Sequence, residues 1–256
     1  MKTTHIAMWS GPRNLSTALM YAFVARGDCA VWDEPFYAAY LARTGLEHPM
    51  REAILASDDA DPEHIAARCS GHIPHKQSLF YQKHMSQHMI ADMPRHWMQQ
   101  VENVFLIRHP ARVLASFAKK YEEPGLGDIG FVQQAELFDQ IADHLARPPV
   151  VIDSFDIRQA PAHMLQRLCD ALGIRWTTNM LSWPKGGHPS DGVWAAYWYG
   201  AVHRSTGFAG PESDLPVLTG RSAKMVDEAL PYYEHLKQFS LSAAGFASQS
   251  NEDAAH

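Results

Sequence analysis

Three observations predict an α/β fold in three layers, with a central parallel sheet of about five strands flanked by helices. Short runs of β-branched and aromatic residues recur along the 256 residues; helix-like stretches lie between most of them; and glycine or proline punctuates the joins. Strands that alternate with helices pair in parallel and are covered on both faces, so their runs read as continuously apolar.

In chain order, the strand runs are 4–9, 29–33, 78–83, 103–108 and 148–153. The first helix-like stretch, 14–26, has Pro12 and Asn14 near its start and Gly27 past its end, the usual asymmetry of helix caps. Further helices are read at 35–44, 61–70, 86–100, 110–122, 129–147 and 159–172, the last closed by Gly173. Residues 183–220, rich in Gly, Pro and Trp, read as a long functional loop with a short helix, followed by a helix over 221–238. From 241 onward the residues are small and polar, which predicts a frayed tail. Residues 1–240 are therefore read as one domain.

Composition narrows the function. Apolar residues make up 46% of the chain, enough for a sizeable core, and charged residues 20%. A net charge of −6 argues against binding DNA or RNA wholesale, which needs an excess of Lys and Arg; a local basic pocket for one anionic nucleotide is compatible with it. Cys29, Cys69 and Cys169 are odd in number and scattered, which fits a reducing cytoplasm. With neither a signal-peptide core nor a run long enough to span a membrane, the expectation is a soluble cytoplasmic protein. Fifteen histidines invite a metal hypothesis, and His84 and His88, four apart near His72 and His75, would share a face on a helix. No H-E-x-x-H motif or cysteine pair accompanies them, and no metal site is predicted.

The chemistry is carried by two segments. The first strand runs into Ser10-Gly11-Pro12-Arg13-Asn14-Leu15-Ser16-Thr17 and then a helix. Small and hydroxylated residues at such a turn present backbone N–H groups at a helix N-terminus, a geometry that holds phosphate or sulfate oxygens. The Walker A lysine is absent, since Leu15 and Ser16 stand where Gly and Lys would fall. An ordinary βα turn with a serine-rich cap reads equally well from these residues alone. The fourth strand ends at Arg108 and is followed by His109-Pro110, with Ser116 nearly two turns into the next helix. Ligands of open α/β sheets bind outside the carboxyl ends of the strands, where Arg108 would sit.

Taken together, these segments resemble the sulfotransferase family, nearer its bacterial and carbohydrate-type members. Gly11-Pro12-Arg13 with Ser16-Thr17 is similar to that family's 5′-phosphosulfate loop. Arg108-x-Pro with Ser116 is similar to its 3′-phosphate motif. Lys185-Gly186 resembles a weak version of its C-terminal loop, and Leu15 departs from the usual second glycine. The resemblance implies a P-loop-like fold, residues 11–17, Arg108, Ser116, Lys185 and Gly186 around the nucleotide, and 3′-phosphoadenosine 5′-phosphosulfate as co-substrate, with no metal. It implies in-line sulfuryl transfer to a hydroxyl or amine of a small acceptor, a sugar, lipid headgroup or metabolite. Arg13 and Lys83 would then stabilise the transferring charge.

The base stays open between two candidates. Glu34, 21 residues after Arg13, resembles the Glu-Pro element of carbohydrate-type and protein-tyrosine members. His84, after Lys83, resembles the Lys-x-His element of cytosolic members without its intervening residue. Trp183, Trp194, Tyr197, Trp198, Tyr199 and Phe208 could line an acceptor pocket or simply fill the core. The competing readings are an ATP-dependent P-loop phosphotransferase and a non-catalytic nucleotide-binding module.

Overall fold

The computed structural model describes residues 3–117 and 124–242. Five strands, β1 (Thr4–Ser10), β2 (Cys29–Asp33), β3 (Leu79–Met85), β4 (Glu102–Ile107) and β5 (Val150–Asp153), form one all-parallel sheet in the order β2-β3-β1-β4-β5. Each lies within about two residues of its expected position. Alternating side chains along the strands feed two cores. Ile6, Met8, Val104 and Leu106 pack on one face with helices α1 (Ser16–Ala25) and, after β5, Pro161–Ala171; Ala7, Trp9, Phe105 and Ile107 pack on the other with Phe131–Leu145.

Between β2 and β3 lie α2 (Tyr37–Thr44), α3 (Arg51–Ser57) and α4 (Pro62–Ser70). Asp61 caps α4, its side chain accepting from the backbone N–H of Glu63 and His64, and Pro62 sits where its missing N–H costs nothing. Between β4 and β5 lie α5 (Pro110–Phe117), α6 (Leu126–Ile129) and α7 (Phe131–Leu145); α8 (Ser154–Gln159) and α9 (Pro161–Ala171) follow β5. The last three helices are α10 (Ala195–Trp198), α11 (Gly200–His203) and α12 (Gly220–Lys237). Gly27 and Gly173 take the left-handed conformation that their places after α1 and α9 predict.

The strand order explains where a ligand can enter. The chain leaves β1 toward β2 on one side of the sheet and leaves β4 toward β5 on the other. Neighbouring carboxyl ends whose connections diverge in this way form a switch point, the crevice where open α/β sheets bind ligands. The loop 11–15 and the Arg108 turn flank that crevice.

Three expectations are corrected. Residues 86–100 form two short 3₁₀ turns, Ser86–His88 and His96–Gln100, instead of a helix, because Pro94 interrupts the stretch and offers no N–H to a preceding turn. His84 therefore lies in β3 and His88 beyond it, and they share no helix face. The loop over 183–220 carries two short helices, α10 and α11, not one. Past the last helix, the Leu241 N–H donates to the Val151 carbonyl at 2.8 Å. The end of the helix read at 110–122 and the tail from 243 lie outside the described residues. Among the described residues, no helix is long and apolar enough to cross a membrane, and no three potential metal ligands gather.

Candidate functional site

A cavity of about 410 Å³ opens at the switch point. One wall is the β1–α1 loop, residues 12–18. Within it Arg13 (φ 59°) and Leu15 (φ 67°) are both left-handed, a conformation that costs a side-chain-bearing residue on the order of 1–2 kcal/mol. Leu15 thus takes the backbone shape of a glycine without being one. Followed by the helical Ser16, it turns the N–H groups of residues 15–17 the same way, an anion-holding concavity. No side chain caps the first turn of α1, so these donors face the cavity mouth without an internal acceptor from a cap.

Side chains behind the loop hold it to the sheet. Asn14 is buried and donates through Nδ2 to the Leu106 carbonyl at 2.7 Å. Gln134 of α7, also buried, donates to the carbonyls of both Trp9 and Leu106, at 3.1 and 3.0 Å, and so pins the ends of β1 and β4. Gly11 is required for another reason: a Cβ there would lie 2.5 Å from the Ile129 carbonyl oxygen.

The two sequence motifs meet. Arg13 Nε donates to Ser116 Oγ at 3.0 Å, and Arg108 Nη1 donates to the Arg13 carbonyl at 2.6 Å. Burial, then the neighbouring Arg108, lowers the pKa of Arg13. All three residues line the cavity, as do Ser16 and Thr17.

Opposite them lies a buried charged cluster at the ends of β2 and β3. Lys83 Nζ donates to Asp33 Oδ1 at 2.9 Å, Glu34 Oε1 at 2.5 Å and the Tyr199 hydroxyl at 2.7 Å. An ammonium has three protons, and three acceptors take them here. The Tyr199 hydroxyl lies 2.7 Å from Asp33 Oδ2 and accepts from Trp194 Nε1 at 3.0 Å. Burial raises the pKa of Glu34 against the pull of Lys83. For Lys83 burial acts downward, but the Asp33 and Glu34 carboxylates outweigh it and raise the pKa. Glu34 itself has φ 43°, a strained conformation that directs its carboxylate into the cavity.

The sulfotransferase domain family matches residues 4–240. This chain belongs to the sulfotransferase family. Its fold, a five-stranded parallel sheet flanked by helices, is a sulfotransferase fold: the sulfotransferase domain of the Synechococcus PCC 7002 olefin synthase is similar at a TM-score of 0.53 with 15% identity, over 91% of this chain and 96% of that one. A sulfotransferase from Alicyclobacillus acidocaldarius is similar at 0.52 with 10% identity, over 95% and 99%. In sequence, the chain is 34% identical over 236 residues to branched-chain-amino-acid aminotransferase-like protein 2 of Arabidopsis thaliana, and 34% over 235 residues to protein 1 of the same name. These matches cover 91% of this chain but 41% of each relative's length.

At this cavity, some expected residues are not brought together. His84 does not line the cavity. Successive strand residues point to opposite faces, so with Lys83 at the site His84 turns into the core. There its ring stacks on Trp9 at 4.5 Å and lies 5.1 Å from Trp97, and burial followed by Lys83 lowers its pKa to about 3. Lys185 is exposed, and neither it nor Gly186 lines the cavity; Ser205 and Gly207, one loop later, do. Of the aromatic group, Trp198 and Tyr199 line the cavity, while Trp183 and Trp194 are buried in the two cores. His88 is a lining residue that the sequence reading missed, its ring stacked on Tyr37 at 4.6 Å and Tyr40 at 4.9 Å.

Proposed function

We propose that this chain transfers a sulfuryl group from 3′-phosphoadenosine 5′-phosphosulfate to a hydroxyl or amine of a small acceptor, with Glu34 as the base. The observation that carries the reading is one cavity lined on one side by the β1–α1 loop with Arg13, Arg108 and Ser116, and on the other by the Glu34 carboxylate. The donor nucleotide fits these residues: Arg108 Nε is buried with no hydrogen-bond partner among the described residues, and the first turn of α1 has uncapped N–H groups. The donor, when bound, supplies the sulfuryl group and a good phosphate leaving group.

This chain's residues do the rest. The N–H groups of residues 15–17, with the Ser16 and Thr17 hydroxyls, hold the 5′ anion at the helix N-terminus. Arg13 meets the charge that grows on the transferring oxygens, as preorganised donors do in related transfers. Arg108 and Ser116 hold the 3′-phosphate. Glu34, made more basic by burial, accepts the acceptor's proton. Lys83 acts by positioning that carboxylate, because Asp33, Glu34 and Tyr199 occupy its ammonium.

Binding of adenosine 3′,5′-bisphosphate and of 5′-AMP, followed by calorimetric titration, tests the donor assignment. The bisphosphate binds far more tightly on this reading; equal affinities would overturn it. Mg²⁺-dependent ATP turnover without response to the sulfated donor would favour a phosphotransferase instead.

A further inference from the structure

Beside the cavity, at the carboxyl ends of β4 and β5, three arginines converge on one carboxylate. The Glu212 side chain is 2% exposed. Arg158 Nη1 donates to its Oε1 at 2.8 Å, Arg112 Nε lies 3.0 Å from Oε2, and Arg108 Nη2 donates to Oε1 as well. Two of these arginines also grip the neighbouring backbone: Arg158 Nε donates to the Gly210 carbonyl at 2.8 Å, and Arg112 Nη2 to that of Ser213 at 2.5 Å.

The segment so held has little else of its own. Residues 209–219 contain neither helix nor strand, and Leu215 and Val217 are 48% and 92% exposed. Three guanidinium groups against one carboxylate leave two positive charges uncompensated, and a phosphate dianion in the carboxylate's place would neutralise one more of them. Forked guanidinium donors bind a phosphate as readily as a carboxylate. Arg108 belongs to both settings, since it lines the cavity beside Ser116 and also holds Glu212.

We infer that Glu212 is a tethered competitor for the donor's 3′-phosphate in the cradle of Arg108, Arg112 and Arg158, so that nucleotide binding displaces the carboxylate and releases segment 209–219. The inference rests on the donor reading above. A carboxylate on the same chain is held near its arginines at a high effective concentration, which loose single-charge anions in solution cannot match. A dianion makes more charge-assisted contacts and displaces it. When the 3′,5′-bisphosphate product is to leave, the returning carboxylate compensates the arginines and lowers the cost of release.

The test is titration of wild type and Glu212→Gln with adenosine 3′,5′-bisphosphate and with 5′-AMP. Glu212→Gln is expected to bind the bisphosphate at least about ten-fold more tightly, with 5′-AMP affinity unchanged, because 5′-AMP carries no 3′-phosphate to compete. Hydrogen exchange on the wild type gives an answer even if that variant folds poorly: amides of 209–219 exchange faster with the bisphosphate bound and not with 5′-AMP. Unchanged or weaker bisphosphate binding by Glu212→Gln, or protection of 209–219 on binding, overturns the inference. Equal wild-type affinities for the two nucleotides would sink the donor reading and this inference together; a preference for the bisphosphate with no gain in Glu212→Gln sinks this inference alone.

Discussion

Replacing Lys83 with methionine removes a charge from a side chain that is 1% exposed while keeping much of its length. Breaking a buried ion pair by deleting one partner costs about 3–5 kcal/mol, because the remaining charge stays buried without compensation. Here two carboxylates are left, and the donors still facing them are the Tyr199 hydroxyl and, for Asp33, the Gly192 N–H at 3.2 Å. That places the expected loss in the upper part of the range, about 4–5 kcal/mol. For a chain of this size each kcal/mol moves Tm by about 2–4 °C, so the variant should melt about 8–20 °C lower at neutral pH.

The pH dependence supplies an independent check on that number. Burial holds Glu34 above its ordinary 4.5, and removing Lys83 raises it further. A carboxyl with a raised folded pKa binds its proton more tightly in the folded state. Its destabilising effect is therefore absent below 4.5 and grows as pH rises through the raised value. The gap between Lys83→Met and wild type should narrow as pH falls from 7.5 toward 4.5, and adding Glu34→Gln should recover part of it at pH 7.5. Differential scanning calorimetry at several pH values measures both. A loss under about 1 kcal/mol, or a gap independent of pH, would refute the account of Lys83 as the anchor of two buried carboxylates.

Glu34→Gln should leave bisphosphate affinity intact and lower turnover roughly 10²–10⁴-fold, while wild-type kcat/KM rises with pH along an acid limb above the ordinary carboxyl value; a wild-type rate in the variant would remove Glu34 as base. Arg13→Ala should raise the single-turnover barrier by about 3–4 kcal/mol, more than it weakens nucleotide binding, and Arg13→Lys should recover only part because it loses the planar fork. A loss confined to affinity would make Arg13 an anchor only. His84→Asn should lower Tm yet leave the pH profile of turnover in place, since a ring with a pKa of about 3 is neutral throughout the assay range; a shifted profile would return His84 to the chemistry.

The parts of this protein that were legible in its sequence are those dictated locally. Apolar runs located all five strands because buried parallel strands need no alternation. The caps at Gly27 and Gly173 were readable because only a residue without Cβ is at ease there. Arg13, Arg108 and Ser116 were visible as spaced motifs, and the structure brings them into hydrogen-bond contact. What the sequence hid depends on long-range geometry. Strand alternation, not residue chemistry, decides that Lys83 faces the cavity and His84 the core. Gln134 and Tyr199 carry no motif, and their places follow from where α7 and the segment around α10 pack. Glu212 reads in sequence as an ordinary loop acid, and only the convergence of Arg108, Arg112 and Arg158 from three different elements marks it out. The stretch 86–100 is not a helix because Pro94, placed between its two 3₁₀ turns, offers no N–H to a preceding turn.

The hydroxyl of Tyr199 has a consequence for the chain's birth as well as for its finished state. It lies 166 residues from Asp33, and 116 from Lys83. A nascent chain emerging from the ribosome, at about 5–20 residues per second, exposes both carboxylates and later Lys83 well before their phenol arrives. In that interval Lys83 is the side chain that compensates Asp33 and Glu34, and the β2–β3 edge lacks the phenol that completes the cluster. A chain truncated before residue 199 should accordingly hold that edge less firmly and be cut by proteases there more readily than the full chain, even with all five strands already synthesised.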